Sequence, residues 1–118
     1  MIEIASRQRG QAPPPWVIWE ALAEPNRDAD RPWLELRPEE VPPKILAKEK
    51  PTMVVWSSLW PDRPNDQIRF DLEPGGGGCN LRWTLLTPDD PPDEARRQEL
   101  RHRVNYLING RLRETFDQ

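Results

Sequence analysis

The sequence predicts an α+β domain: a run of antiparallel strands, with a short helix near the start and one long amphipathic helix at the end. Three observations predict it. Residues 67–72 and 80–86 alternate in polarity on either side of four consecutive glycines, the pattern of a hairpin. The fifteen prolines are spread between short apolar runs, where they read as stops between elements. The stretch after Pro92, as far as Phe116, has no internal proline and is rich in Arg, Glu, Leu and Gln, which favour helix.

A chain of 118 residues and 13.8 kDa is one domain with a single modest core. Its radius of gyration should be about 13–14 Å. A hydrophobic content of 36% is low, but six tryptophans offset it, because each buried aromatic removes ~150–250 Å² from water. Net charge is −3, which attracts no polyanion and argues against nucleic acid. The single cysteine, Cys79, cannot form an internal disulfide, which fits a reducing compartment. "MIEIASRQRG" lacks a basic-then-apolar leader, and no apolar run approaches the ~20 residues of a membrane helix. The expectation is a cytoplasmic protein without membrane insertion.

The elements come in this order. Residues 2–9, "IEIASRQR", read as a first strand through Ile2 and Ile4. In "APPPWVIWEALAEP", prolines precede Trp16, Ile18, Trp19 and Leu22, and Pro25 closes a helix of about residues 14–23. "NRDADRP" is a polar connection with at most one further helical turn. Five strand-like runs come next: "WLEL" (33–36), "KILAKEK" (44–50), "MVVWSSLW" (53–60), "QIRFDL" (67–72) and "NLRWTLL" (80–86). Pro51-Thr52 marks a tight reversal between the second and third of these. The count is six strands.

Gly75 to Gly78 do not form a phosphate cradle. Such a loop needs a lysine to reach the phosphates and a helix N-terminus behind it, and here a strand comes next. The hairpin reading is sharper. One register faces Leu72 with Leu81, Phe70 with Trp83 and Ile68 with Leu85, and sets Asp71 against Arg82 and Arg69 against Thr84. The glycines are then left as a four-residue loop, in which positive φ costs little.

On the final helix, Leu100, Val104, Leu107, Ile108, Leu112 and Phe116 share one broad arc at 100° per residue, while Tyr106, Arg113, Arg103 and His102 lie opposite. His102, the only histidine, sits on the polar side and reads as solvated rather than catalytic. Asn105 lies at the edge of the apolar arc.

This order of elements resembles the helix-grip fold of the SRPBCC superfamily, which includes START lipid-binding domains, the major birch-pollen allergen and polyketide cyclases. "PPPWVIWEALAEP", "VVWSSLWPDRPNDQIRFDL", "LRWTLLTPDDPP" and "RHRVNYLINGRLRETF" look like a bacterial branch of that superfamily. The resemblance covers nearly the whole chain, with six strands where seven are usual. It implies a curved antiparallel sheet of about six strands wrapped around the C-terminal helix, with a hydrophobic pocket between them. Trp56, Ser58, Trp60, Phe70, Trp83, Asn105, Ile108 and Leu112 would line that pocket. The tryptophan side of 53–60 is taken as inward because larger residues gain more from burial. Met53, Val55 and Leu59 would then form an outer apolar patch of the kind that pairs subunits, which leaves a homodimer open.

The leading expectation for function is a binding protein for a hydrophobic or aromatic small molecule, oriented by Ser58 and Asn105. An enzyme of the cyclase or hydrolase kind is the alternative. The sequence shows no nucleophile–base pair and no metal-ligand spacing, and only Asn105, Ser58 and Arg101 are polar candidates, so no catalytic residue or cofactor is assigned. A third class is a protein-interaction module, since some members of the superfamily activate a chaperone ATPase.

Overall fold

The computed structural model describes residues 1–27, 30 and 32–116. Its order is β1 (Ile2–Gln11), α1 (Pro15–Ala23), β2 (Ile45–Glu49), β3 (Met53–Ser57), β4 (Gln67–Gly75), β5 (Gly78–Thr87), and a last helix in three parts. Those parts are α2 (Glu94–Asn105), a π-helical stretch (Tyr106–Leu112) and α3 (Arg113–Phe116). The strands form one open antiparallel sheet in the order β1-β5-β4-β3-β2. α1 and the last helix pack on its concave face, and the radius of gyration is 13.6 Å. No helix among the described residues is long and apolar enough to cross a membrane.

The β4–β5 hairpin has the register that side-chain matching demands: Ile68 opposite Leu85, Phe70 opposite Trp83, and Leu72 opposite Leu81. Its tip is tighter than the expected four-residue loop. Gly75 pairs with Gly78, and only Gly76 and Gly77 turn the chain, with φ of 55° and 81°. Two consecutive positive φ angles match the right-handed twist of the flanking strands. Gly78 is needed for a different reason: a Cβ there would lie 2.1 Å from the Gln11 carbonyl oxygen.

The sheet has five strands rather than six, because Trp33–Leu36 is held by side chains instead of a ladder. Asn26, at φ 60°, accepts from the amides of Trp33 and Leu34 through Oδ1 and donates through Nδ2 to the Leu34 carbonyl. The Glu35 carbonyl accepts from Arg103 Nη2 at 2.6 Å. These bonds satisfy backbone groups that a neighbouring strand would otherwise take. The polar connection expected at 26–32 lies partly outside the described residues.

β3 stops at Ser57, short of the expected Trp60. The Ser58 hydroxyl accepts from the Trp60 amide and donates to the Trp60 carbonyl, which turns the chain out of the strand. Strict alternation therefore fails beyond Ser57. Leu59 is fully buried, Val55 is nearly so, and Met53 is half-buried with its carbonyl accepting from Trp19 Nε1. The outer apolar patch expected from these three residues is not presented.

Asp93 caps α2 by accepting from the Arg96 amide at 2.8 Å. The π-helical stretch is the feature that an ideal α-helical projection misses. In that projection Leu112 lies roughly 120° round from Leu100, which spreads the apolar residues over half the helix. One extra residue in the i→i+5 stretch turns the remainder of the helix back by about 100°. Leu112 thereby rejoins the stripe of Leu100, Val104, Leu107 and Ile108, all at most 1% exposed. The buried arc narrows and shifts, and Arg103, expected on the polar side, is only 6% exposed at its edge. His102 and Tyr106 face solvent as expected.

Candidate functional site

The residues expected to line a pocket are brought together on the concave face, but as packed core. Trp56, Phe70, Trp83, Ile108 and Leu112 are each at most 1% exposed and belong to one apolar cluster. Trp56 is fixed from three directions. Its Nε1 donates to the Leu22 carbonyl at 2.8 Å, Phe70 meets it edge-on at 4.8 Å between centroids, and Trp33 stacks on it at 5.9 Å. Trp56 and Trp83, the two largest of these side chains, are both buried in that cluster.

The four polar or loop-borne candidates lie elsewhere. Ser58 spends its proton and one lone pair on the Trp60 backbone and is 6% exposed, so its proton is not available to a guest. Trp60 is off the strand and donates from Nε1 to Glu40 Oε2 at 3.0 Å. Asn105 sits on the β1 flank of the helix, where its Oδ1 accepts from Asn109 Nδ2 at 2.7 Å, and Asn109 in turn accepts from Gln11. Arg101 is exposed on the same flank.

A group that sequence reading did not single out is the buried pair of Glu40 and Arg103. Arg103 Nη2 lies 2.6 Å from Glu40 Oε1, and its Nε donates to both carboxylate oxygens. The Arg37 amide and Trp60 Nε1 complete the carboxylate's partners. Burial pushes the Glu40 carboxyl up, but the hydrogen bonds from Arg103, Arg37 and Trp60, with the arginine charge, outweigh burial and hold it below the usual range. The pair ties the 33–44 loop to the last helix. A cleft of about 540 Å³ beside it is lined by Arg37, Asp62, Arg96 and Glu99, with Arg96 held by Asp62 and Glu99. Its charges largely satisfy one another. One of two adjacent glutamates between prolines carries no sequence signal of such a role; the only hint is Arg103 bordering an apolar stripe.

A second opening has a different character. Between α1, the residues Asn26, Arg27 and Trp33, and the end of the last helix lies a cleft of about 360 Å³, with Val17, Ala21, Trp33 and Phe116 as apolar walls. Glu20, Glu24 and Arg27 stand on its polar side, where Glu24 and Arg27 pair at 3.2 Å and Glu20 meets Lys50 at 3.5 Å. Trp33, which contributes to this cleft, is the same ring that stacks on Trp56 in the core. Its Nε1 is buried and has no hydrogen-bond partner among the described residues. Among those residues, no three His, Cys, Asp or Glu side chains are placed to hold a metal ion. Cys79 is buried next to the tip of the hairpin, opposite Pro74, and burial raises its thiol pKa, which makes it a poor nucleophile.

An open five-stranded antiparallel sheet gripping a C-terminal helix defines the class: a helix-grip-like α+β fold. No protein-family model matches the chain, and no curated protein matches it in sequence. Solved structures do. The chain is similar to protein MLL2253 from Mesorhizobium loti, with a TM-score of 0.69 at 18% identity, over 96% of each chain. It is also similar to CalU16 from Micromonospora echinospora, with a TM-score of 0.63 at 20% identity, over 89% of this chain and 69% of that one. The Aha1 dimer from Colwellia psychrerythraea gives a TM-score of 0.62 at 18% identity, over 93% and 98%. At such identities the likeness is one of fold.

Proposed function

We propose that this chain is a small-molecule binding protein of the SRPBCC superfamily, and that an apolar or flat aromatic ligand occupies the cleft between α1 and the end of the last helix. One observation carries the reading: the cleft of about 360 Å³ is walled by Val17, Ala21, Trp33 and Phe116, with polar groups along one side. That volume falls in the range of ligand sites, which combine apolar walls with a few orienting polar groups. Trp56, Phe70, Trp83, Ile108 and Leu112 serve as the rigid wall behind Trp33, and Asn105 and Ser58 take no part. The cyclase or hydrolase reading has less support, because the buried carboxylates Glu40 and Asp66 are each held by an arginine and neither lines this cleft.

The test is a tryptophan-fluorescence titration with aromatic and lipid-like compounds, run on the natural protein and on Ala21→Trp, which fills the cleft. Saturable quenching lost in Ala21→Trp supports the reading. Binding that survives Ala21→Trp unchanged, or no binding by any compound, contradicts it.

A protein-interaction module is the second reading, favoured by the filling of the concave face and by Trp16, which is 54% exposed on α1. Native mass spectrometry of the protein as isolated separates the two. A co-purified small molecule favours the first reading, and a bound protein the second. The same spectrum counts subunits and so tests a homodimer.

A further inference from the structure

The last helix runs alongside β1 and is pinned to it at two places. Near its start Arg97 Nε donates to the Ile4 carbonyl at 2.7 Å, and near its end Asn109 Oδ1 accepts from Gln11 Nε2 at 2.9 Å. Between these pins the strand carries Arg7 and Arg9. They stand opposite Trp83 and Leu81 in the ladder, hence on the concave side, yet both are exposed. The facing flank of the helix carries Arg101 and Asn105, one and two turns beyond Arg97.

The charge state of this seam sets it apart. Eight described arginines each pair with a carboxylate. The other five have no carboxylate partner among the described residues, and three of those five, Arg7, Arg9 and Arg101, lie along the seam. Three cations without a counter-charge on one short edge, in a chain of net charge −3, are a local excess with no internal use. The amide chain from Gln11 through Asn109 ends at Asn105, whose own Nδ2 has no partner among the described residues and stands one turn from Arg101.

We propose that this seam docks an extended acidic segment of a partner protein. Gln11 lies seven positions beyond Ile4, roughly 23 Å of strand, which is long for a single small anion and suits an extended chain. Arg7 and Arg9 point to one side at alternate positions, the same repeat at which a neighbouring strand presents its side chains. β1 is a terminal strand of the open sheet, and such an edge accepts an added strand through its backbone. A long uniform polyanion, nucleic acid or an anionic membrane, meets the net negative charge of the rest of the molecule. A short acidic segment engages only the local arginines.

The experiment is fluorescence anisotropy with a labelled octapeptide alternating Glu and Val, beside its counterpart with Gln for Glu. The proteins are the natural chain, Arg7→Gln/Arg9→Gln, Arg101→Gln and Arg37→Gln, an exposed arginine away from the seam with no ion pair among the described residues, with folding of each checked by circular dichroism. The glutamate peptide should bind in a salt-dependent way, weaken about tenfold in Arg7→Gln/Arg9→Gln, weaken less in Arg101→Gln, and bind Arg37→Gln unchanged. The proposal is overturned by an absence of binding, equal binding of the glutamine peptide, or equal loss in Arg37→Gln. Tighter binding of single-stranded DNA or of phosphatidylserine vesicles overturns it as well.

Discussion

The middle of the concave face and its α1 end are built from the same kinds of residue and behave differently. In the middle, Phe70, Trp83, Ile108 and Leu112 are fully buried against one another. At the α1 end, Phe116 and Ala21 are only partly buried, and a cleft remains beside Trp33. The difference lies in what each position can reach. In the middle, helix and sheet each contribute large side chains from facing positions. At the end, the helix finishes on a single partly covered phenylalanine opposite the small Ala21. Aromatic content alone therefore does not mark a binding site; an aromatic facing a small residue does.

The largest effect should come from the polar clamp that fixes the helix over the packed middle. Arg103→Met should destabilise by about 3–5 kcal/mol, because it leaves the Glu40 carboxylate buried without its counter-charge. Chemical denaturation measures this, and a loss below ~1 kcal/mol would show the pair to be dispensable. The same clamp predicts a pH dependence. Glu40 has a lowered pKa in the folded protein, so it adds stability that is complete above the ordinary carboxylate value of 4.5 and is lost as pH falls through the lowered value. Denaturation midpoints should drop across that acidic window in the natural protein. In Arg103→Met/Glu40→Met the drop should be shallower.

Within the middle itself, Ile108→Ala should cost about 2–5 kcal/mol, as expected when a cavity opens in close-packed surroundings. Leu112→Trp should cost roughly 1–3 kcal/mol by overpacking. Ala21→Trp, also a small-to-large change, should stay within about 0.5 kcal/mol, because it grows into the open cleft. Equal losses for the two tryptophan substitutions would erase the distinction between the regions. Smallest of all, His102→Ala, on the solvent side of the helix, should fall within about ±0.5 kcal/mol.

The parts of the molecule that local chemistry governs could be read from the chain. The hairpin register comes from matching Phe70 with Trp83 and Leu72 with Leu81, and α1 comes from its prolines and apolar run. The antiparallel order and the final helix rest on the same kind of evidence. What could not be read depends on side chains distant in sequence. Trp33–Leu36 looks like a strand, but its hydrogen bonds go to Asn26 and Arg103. Strand 53–60 ends early because one serine hydroxyl captures the Trp60 backbone. The π-helical stretch has no period of its own in so short a segment, yet it brings Arg103 to the buried edge of the helix. For the site, the alternation that aims Phe70 and Trp83 inward gives direction and not volume. Whether a concave face is hollow depends on how side chains from five strands and two helices share the space.

The direct measurement is the indole ¹⁵N–¹H spectrum of uniformly labelled protein, recorded as a binding aromatic compound is added. Three of the six tryptophans, Trp33, Trp56 and Trp83, report on the buried face, with Trp33 assigned through Trp33→Phe and Trp83 through Trp83→Phe. The Trp33 resonance should move most, Trp56, stacked against it, should show a smaller shift, and Trp83 should stay in place. A largest shift at Trp83, with Trp33 unmoved, would place the ligand between sheet and helix in the middle of the grip and contradict the cleft.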